Sequence, residues 1–253
     1  MKLIFTLIIF TLFSINTIAR EKGETEITTE GGIEVFQNEN FYLLKKNVKI
    51  DSDTFILNAD DVKIFFEKNL YDITELDAKG NVNFFSPELK IQGNGEKLNF
   101  EVEDEKLNVN GIGSQLITED IEMFSDGYIK VNNLNGNFSL NGLNSKLINA
   151  DIIIKAEIIN GIFSNNQNKK EIIFLDIVDN KISYIKNNDT EMFAKKINFN
   201  NDTSIIELID SVTIIRNGEK ITGDYGTLDT NNNSYKIKSN DQSKVKVIIL
   251  NDE

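Results

Sequence analysis

From about Gly31 onward, apolar and polar residues alternate one for one. Val48 and Ile50, Val62, Ile64 and Phe66, Leu98, Phe100 and Val102, Ile129 and Val131, and Val245 and Val247 enclose Lys49, Lys63, Asn99, Lys130 and Lys246. A period of two places successive side chains on opposite faces of an extended strand, one face apolar and the other wet. Asn-Gly or Asp-Gly pairs at 94–95, 110–111, 126–127, 135–136, 141–142, 160–161 and 217–218 predict tight hairpins, because both residues tolerate positive φ. The only proline, Pro87, stands near the end of an apolar run, where a turn or an edge tolerates it. The expectation is an all-β chain of antiparallel strands.

A longer rhythm runs beneath the alternation. Short apolar segments begin near Val48, Val82, Leu116, Leu147, Val178 and Val212, at spacings of 34, 34, 31, 31 and 34. Lys46-Asn47-Val48-Lys49-Ile50, Gly80-Asn81-Val82-Asn83-Phe84 and Asp210-Ser211-Val212-Thr213-Ile214 show the shared grammar. Such a repeat predicts stacked β units with one continuous apolar interior. The other reading is an ordinary sandwich with evenly spaced strands. The polar run 164–170 predicts a long loop, since the rhythm resumes on both sides.

At the N-terminus, Met1-Lys2 precedes an apolar run over 3–13 and then small and polar residues over 14–19. One positive charge, a short apolar run and small residues predict a secretory signal peptide over 1–19, cut after Ala19. An uncleaved membrane anchor is the rival, although the run is short for a span of about 20 residues. Residues 20–253 would then work outside the cytoplasm.

The 253 residues include no His and no Cys. That removes His- and Cys-based nucleophiles, thiolate redox chemistry, Cys/His zinc sites and disulfides. The densest carboxylate groups are Asp60-Asp61, Glu101-Glu103-Asp104-Glu105 and Glu119-Asp120-Glu122. They alternate with apolar residues or sit in turns, and they lack the spacing of a calcium loop. The expectation is no enzyme, no metal and no cofactor. A net charge of −13 without a basic stripe argues against nucleic acid as a partner.

The apolar face itself is the informative feature. A stack of strands that is apolar within can be filled by its own side chains or left partly open as a trough for an acyl chain. Each buried methylene contributes about 0.8 kcal/mol, so a fourteen-carbon chain would gain about 10 kcal/mol before ordering costs. The residues alone leave both versions open.

The stretch from Ser211 to Thr230, with Asn233-Ser234-Tyr235-Lys236-Ile237 after it, resembles the OstA-like repeat of periplasmic lipopolysaccharide-transport proteins. The same grammar recurs at Lys46 to Phe66 and Gly80 to Val102, and the likeness spans about residues 30 to 250, clearest over 205 to 240. The resemblance implies an elongated, open, twisted antiparallel β-jellyroll of stacked units of about 33 residues, whose trough passes lipopolysaccharide acyl chains along. It also implies edge-strand pairing with other lipopolysaccharide-transport proteins, or end to end with further copies, in a bridge from inner to outer membrane. A periplasmic location would follow.

On this reading the trough candidates are the alternating residues of successive strands. The first strands offer Val48, Ile50, Leu57, Val62, Ile64, Val82, Phe84, Ile91, Leu98, Phe100 and Val102. The middle offers Ile129, Val131, Phe138, Leu140, Ile152 and Ile154, and the last part Ile197, Phe199, Val212, Ile214, Ile221 and Ile237. The competing readings are a structural or adhesive exported β-solenoid with a filled core and, more distantly, an outer-membrane barrel.

Overall fold

A computed structural model describes residues 23–68, 72–164, 170–240 and 243–249, and every regular element among them is a β-strand. The expected signal peptide over 1–19 lies outside the described residues, as do 165–169 of the expected loop.

Two short strands, β1 (Glu26–Thr28) and β2 (Ile33–Phe36), lead into four long ones. These are β3 (Phe41–Asp51), β4 (Ile56–Phe66), β5 (Ile73–Ser86) and β6 (Ile91–Glu101). Four short strands follow: β7 (Lys106–Asn110), β8 (Ser114–Ile117), β9 (Ile121–Ser125) and β10 (Tyr128–Asn132). Six more long strands are β11 (Asn137–Asn149), β12 (Ile152–Phe163), β13 (Ile172–Asn187), β14 (Thr190–Asn200), β15 (Ile205–Arg216) and β16 (Glu219–Asp229). The last two are β17 (Ser234–Lys238) and β18 (Lys246–Ile249).

Each long strand serves two sheets. Its pairing breaks once near the middle, as between Lys45 and Val48 on β3 or Lys79 and Val82 on β5. A bulge of this kind bends the strand and raises its twist. One half of every long strand therefore lies in a first wall and the other half in a second. In the first wall β2 precedes the Phe41–Lys45 half of β3, β7 and β10 bridge β6 to β11, and β17 closes on β16. In the second wall β1, β8, β9 and β18 hold the corresponding places. The result is a long antiparallel jellyroll, folded like a V along its line of bends.

The bends have a local chemistry. Positive φ at Lys46 and Asn47, at Gly80 and Asn81, and at Asp210 and Ser211 turns the strand in two residues. Those three places carry the shared grammar, and each is followed by a buried valine. In the middle units the bend is longer and the first residue beyond it is a buried serine: Ser114, Ser145 or Ser183. The Ser114 and Ser145 hydroxyls donate to the carbonyls of Gly111 and Gly142 at 2.7 and 2.8 Å, and Ser183 donates to the Lys195 carbonyl at 3.2 Å. These bonds satisfy polar groups that would otherwise be costly to bury. The repeat thus restarts at Ser114 and Ser145, two residues before the Leu116 and Leu147 marked by sequence. Its next restart is Ser183; Val178 lies before the bend, in the opposite wall.

The hairpin expectation holds at 217–218, where Asn217 and Gly218 both have positive φ between β15 and β16. Pro87 stands in the turn after β5, as expected. Three of the pairs are not hairpin turns: Asn141-Gly142 sits at the bend inside β11. Asn94-Gly95 and Asn160-Gly161 lie inside β6 and β12, with Gly161 opposite Phe138. A Cβ on Gly161 would come within 2.4 Å of the Phe138 ring, so glycine is there to let an aromatic ring lie across the strand. Gly93 serves Phe84 in the same way.

Candidate functional site: an apolar trough between the walls

Both walls turn one row of side chains inward. In the second wall cross-strand pairing links Ile50, Leu57, Phe84, Gly93, Leu116 and Met123, then Leu147 and Ile154 beyond. The two walls part most in the N-terminal half. They enclose a cavity of about 1780 Å³ lined by residues from Gly23 to Asn133, together with Phe163 and Lys170.

Seven of the expected trough residues line this cavity: Ile50, Ile64, Phe84, Ile91, Phe100, Val102 and Val131. Thirteen are buried in the packed core outside its lining. Val48, Leu57, Val62, Val82 and Leu98 back the cavity in the N-terminal half. Ile129, Phe138, Leu140, Ile154, Ile197, Val212, Ile214 and Ile221 fill the middle and the C-terminal half. Ile152, Phe199 and Ile237 are half-buried against that core. Alternation therefore found the inward row but did not tell a lining residue from a filler.

The sequence reading missed Tyr42, Phe55, Leu76, Leu107, Leu116 and Met123, which also line the cavity. Leu107 alternates with Val109 in the same period-two pattern, and Leu116 with Met123 faces Gly93 in register. The degenerate middle units hid Leu116 and Met123. Phe55 and Phe84 stack with ring centroids 6.3 Å apart in one wall, and the Tyr42 ring tilts against Phe66 at 5.1 Å in the other.

The mouth is polar, with Glu24, Glu26, Glu88 and Glu105 on its lining and Lys170 as the cation among the described lining residues. Lys170 crosses the mouth. Its Nζ donates to Asn133 Oδ1 at 2.7 Å on the first-wall rim, and the Asn133 amide donates to Glu105 Oε2 at 2.5 Å. Its backbone N–H reaches Asp120 Oδ2 at 3.4 Å on the second-wall rim, where Asn149 also donates to the Asp120 carbonyl at 2.9 Å. Burial pulls the Lys170 amine below its ordinary pKa, while the negative charges of Glu105 and Asp120 oppose that shift. This clasp joins the two rims where the cavity ends. Beyond it Ile154, Ile159, Ile177, Met192, Ile197 and Leu208 are fully buried between the walls.

The ends of the jellyroll are bare. No described strand lies beyond β1 and β2 at one end or beyond β17 and β18 at the other. Ile33 and Val35 on β2, and Val247 and Ile249 on β18, are each about half exposed or more. Among the described residues there is no acidic or His/Cys cluster suited to a metal and no helix long and apolar enough to cross a membrane.

Strands bent across two walls, an apolar cavity between them and open edges at both ends define an open antiparallel β-jellyroll. Residues 31–133, less than half of the chain, match the family described as LptA/(LptD N-terminal domain) LPS transport protein, a transport rather than an enzyme family. The match coincides with the half that holds the cavity. Among solved structures the chain is similar to LptH, the LptA homologous periplasmic component of the lipopolysaccharide transport device from Pseudomonas aeruginosa. That likeness has 14% identity and a TM-score of 0.42, over 52% of this chain and 95% of the other. No curated protein matches the chain.

Proposed function

We propose that this chain is a non-enzymatic carrier that takes lipopolysaccharide acyl chains into its N-terminal trough during transport between inner and outer membrane. The observation that carries the reading is the cavity of about 1780 Å³ with an apolar interior and a polar mouth. Drug-sized ligands fit pockets of about 300–1,000 Å³, so this volume suits a larger, many-chained amphiphile. Its walls can gain about 0.8 kcal/mol per methylene, whereas a rim salt bridge adds about 0–1 kcal/mol. With four carboxylates at the mouth, affinity rests on tail burial rather than on charge attraction to an anionic headgroup. The family match over 31–133 supports the same substrate class.

The export signal over 1–19 would deliver the chain to the periplasm. The exposed apolar side chains on β2 and β18 support end-to-end strand pairing, with partner transport proteins or further copies, into a bridge. The filled interior beyond Lys170 makes the C-terminal half a rigid extension rather than part of the lipid slot.

The deciding experiment is mass spectrometry of lipid that co-purifies with full-length protein from the periplasm. Lipopolysaccharide released by denaturation, and lost when trough residues are changed, is the expected result. Lipid-free protein that also fails to take up added lipopolysaccharide would end the carrier reading.

A further inference from the structure

A second cleft lies on the opposite face of the second wall, turned away from the trough. Its volume is about 350 Å³, at the small end of the range that holds compact ligands. Strand pairing sets four amide side chains side by side across β4, β5, β6 and β8: Asn58 opposite Asn83, Asn83 opposite Asn94, and Asn94 opposite Gln115. Because Leu57, Phe84 and Leu116 face the interior, these intervening residues face outward. Beside the amide row stands a second outward pair, Phe85 opposite Gln92, and the Phe85 side chain is 43% exposed.

Two properties narrow the ligand. No residue lining this cleft is ionisable, although 26% of the chain is charged. Lys49, opposite Asn58 at the edge of the row, is already paired with Asp51 at 2.9 Å, so the lining itself offers a charged ligand no counter-charge. The lining also offers donors and acceptors in equal supply, since each amide has two N–H donors and an oxygen that can accept two bonds. Asn83 and Asn94 spend one N–H locally, on the Asn81 carbonyl at 3.0 Å and the Gly113 carbonyl at 3.3 Å. These bonds hold the two side chains in place and leave acceptor and donor capacity over. A sugar ring presents the complement: adjacent hydroxyls that both donate and accept, and C–H faces that lie flat against an exposed aromatic ring.

We infer that the amide row of Asn58, Asn83, Asn94 and Gln115, flanked by Phe85, is a binding site for a neutral oligosaccharide. Amides laddered about one strand spacing apart, roughly 4.8 Å, meet successive hydroxyls along a glycan rather than a single ring. The site opens on the opposite face of the sheet from the trough, with Phe84 bordering both.

The test is a titration of the full chain, labelled with nitrogen-15, with maltohexaose, laminarihexaose, chitohexaose and, as a charged counterpart, hexagalacturonate. The expected result is a saturable shift of the Asn83, Asn94 and Gln115 side-chain amide signals with at least one neutral hexasaccharide. Phe85→Ala and Asn94→Ala should each weaken that binding tenfold or more, with strand content unchanged by circular dichroism. Both positions face solvent, so folding should survive. Absence of a saturable shift with every neutral sugar, binding of hexagalacturonate alone, or variants that bind as tightly as the parent would each overturn the assignment. A trough variant such as Phe100→Asp should leave the sugar titration intact, which separates this site from the lipid reading.

Discussion

Phe100 offers the sharpest test of the trough, because it lines the cavity yet is only half-buried. Its ring stands inward on β6 between Leu76 and Leu107. In Phe100→Asp the carboxylate would face cavity water while the trough is empty, so the fold should lose little. A bound acyl chain would strip that water. The variant would lose contact with about two methylenes, roughly 1.6 kcal/mol at 0.8 each. Stripping water from an unpartnered polar group costs about 1–3 kcal/mol, and a charge costs more. The sum, about 4 kcal/mol, corresponds to roughly a 1000-fold loss of affinity. Phe100→Leu keeps the wall apolar and should cost about 1 kcal/mol, or roughly fivefold. Equilibrium binding of purified lipopolysaccharide, with strand content followed by circular dichroism, reads both. A folded Phe100→Asp protein that binds within fivefold of the parent would refute the reasoning. Phe84 is a poorer probe: at 5% exposure it is core as well as lining, and Asp there would threaten the fold.

Three further outcomes are expected. Lys170→Ala removes the bond to Asn133 and should lower unfolding free energy by about 1 kcal/mol, below the roughly 1.5–3 kcal/mol of a buried charged hydrogen bond because the group is only partly buried. Denaturant titration checks it, and the Phe163 and Ile172 amides should exchange faster with solvent as the rims part. Gly161→Ala drives a methyl against the Phe138 ring and the Phe174 carbonyl, and should cost about 1–3 kcal/mol, with partial recovery when Phe138→Leu is added; equal thermal stability of parent and Gly161→Ala would disprove that ring-over-glycine packing matters. Asp224 accepts bonds from the Ser243 hydroxyl and, at 2.9 Å, from the Asn240 N–H, and these hold its pKa below the usual carboxylate value. A depressed folded pKa means that the tether is fully present above the unfolded pKa, about 3.9, and is lost as pH falls through the folded value. The Asn240 amide shift should therefore titrate in that acid window, and Asp224→Asn should abolish the transition.

The all-β architecture was legible because alternation is a local property that survives any register error. The bends were harder. The bend interrupts the alternation, and on some strands it also shifts the inward phase by a residue, as from Ala59 to Val62 or from Ala156 to Ile159, so one long strand reads as two short runs. Where the bend kept its valine, at Val48, Val82 and Val212, the repeat was found in register. Where a serine replaced it, at Ser114, Ser145 and Ser183, the unit start was placed at the next apolar residue or in the wrong wall. The grammar was sharpest over 205 to 240, whereas the cavity and the family match fall in the N-terminal half. Inward direction follows from sequence period; the gap between two walls does not. Phe100 and Leu140 alternate alike, and only wall separation makes the first a lining residue and the second a filler. Lys170 gave no signal, because its role depends on Asp120 and Asn133, far away along the chain.

The shared strands have a mechanical consequence. Because each long strand runs through its bend into both sheets, neither sheet can slide past the other without breaking its own covalent backbone. The remaining soft motion is rotation about the crease, like the covers of a book turning on its spine. Room for a bulkier passenger must therefore come from a wider angle, and residues far from the crease travel farthest when it opens.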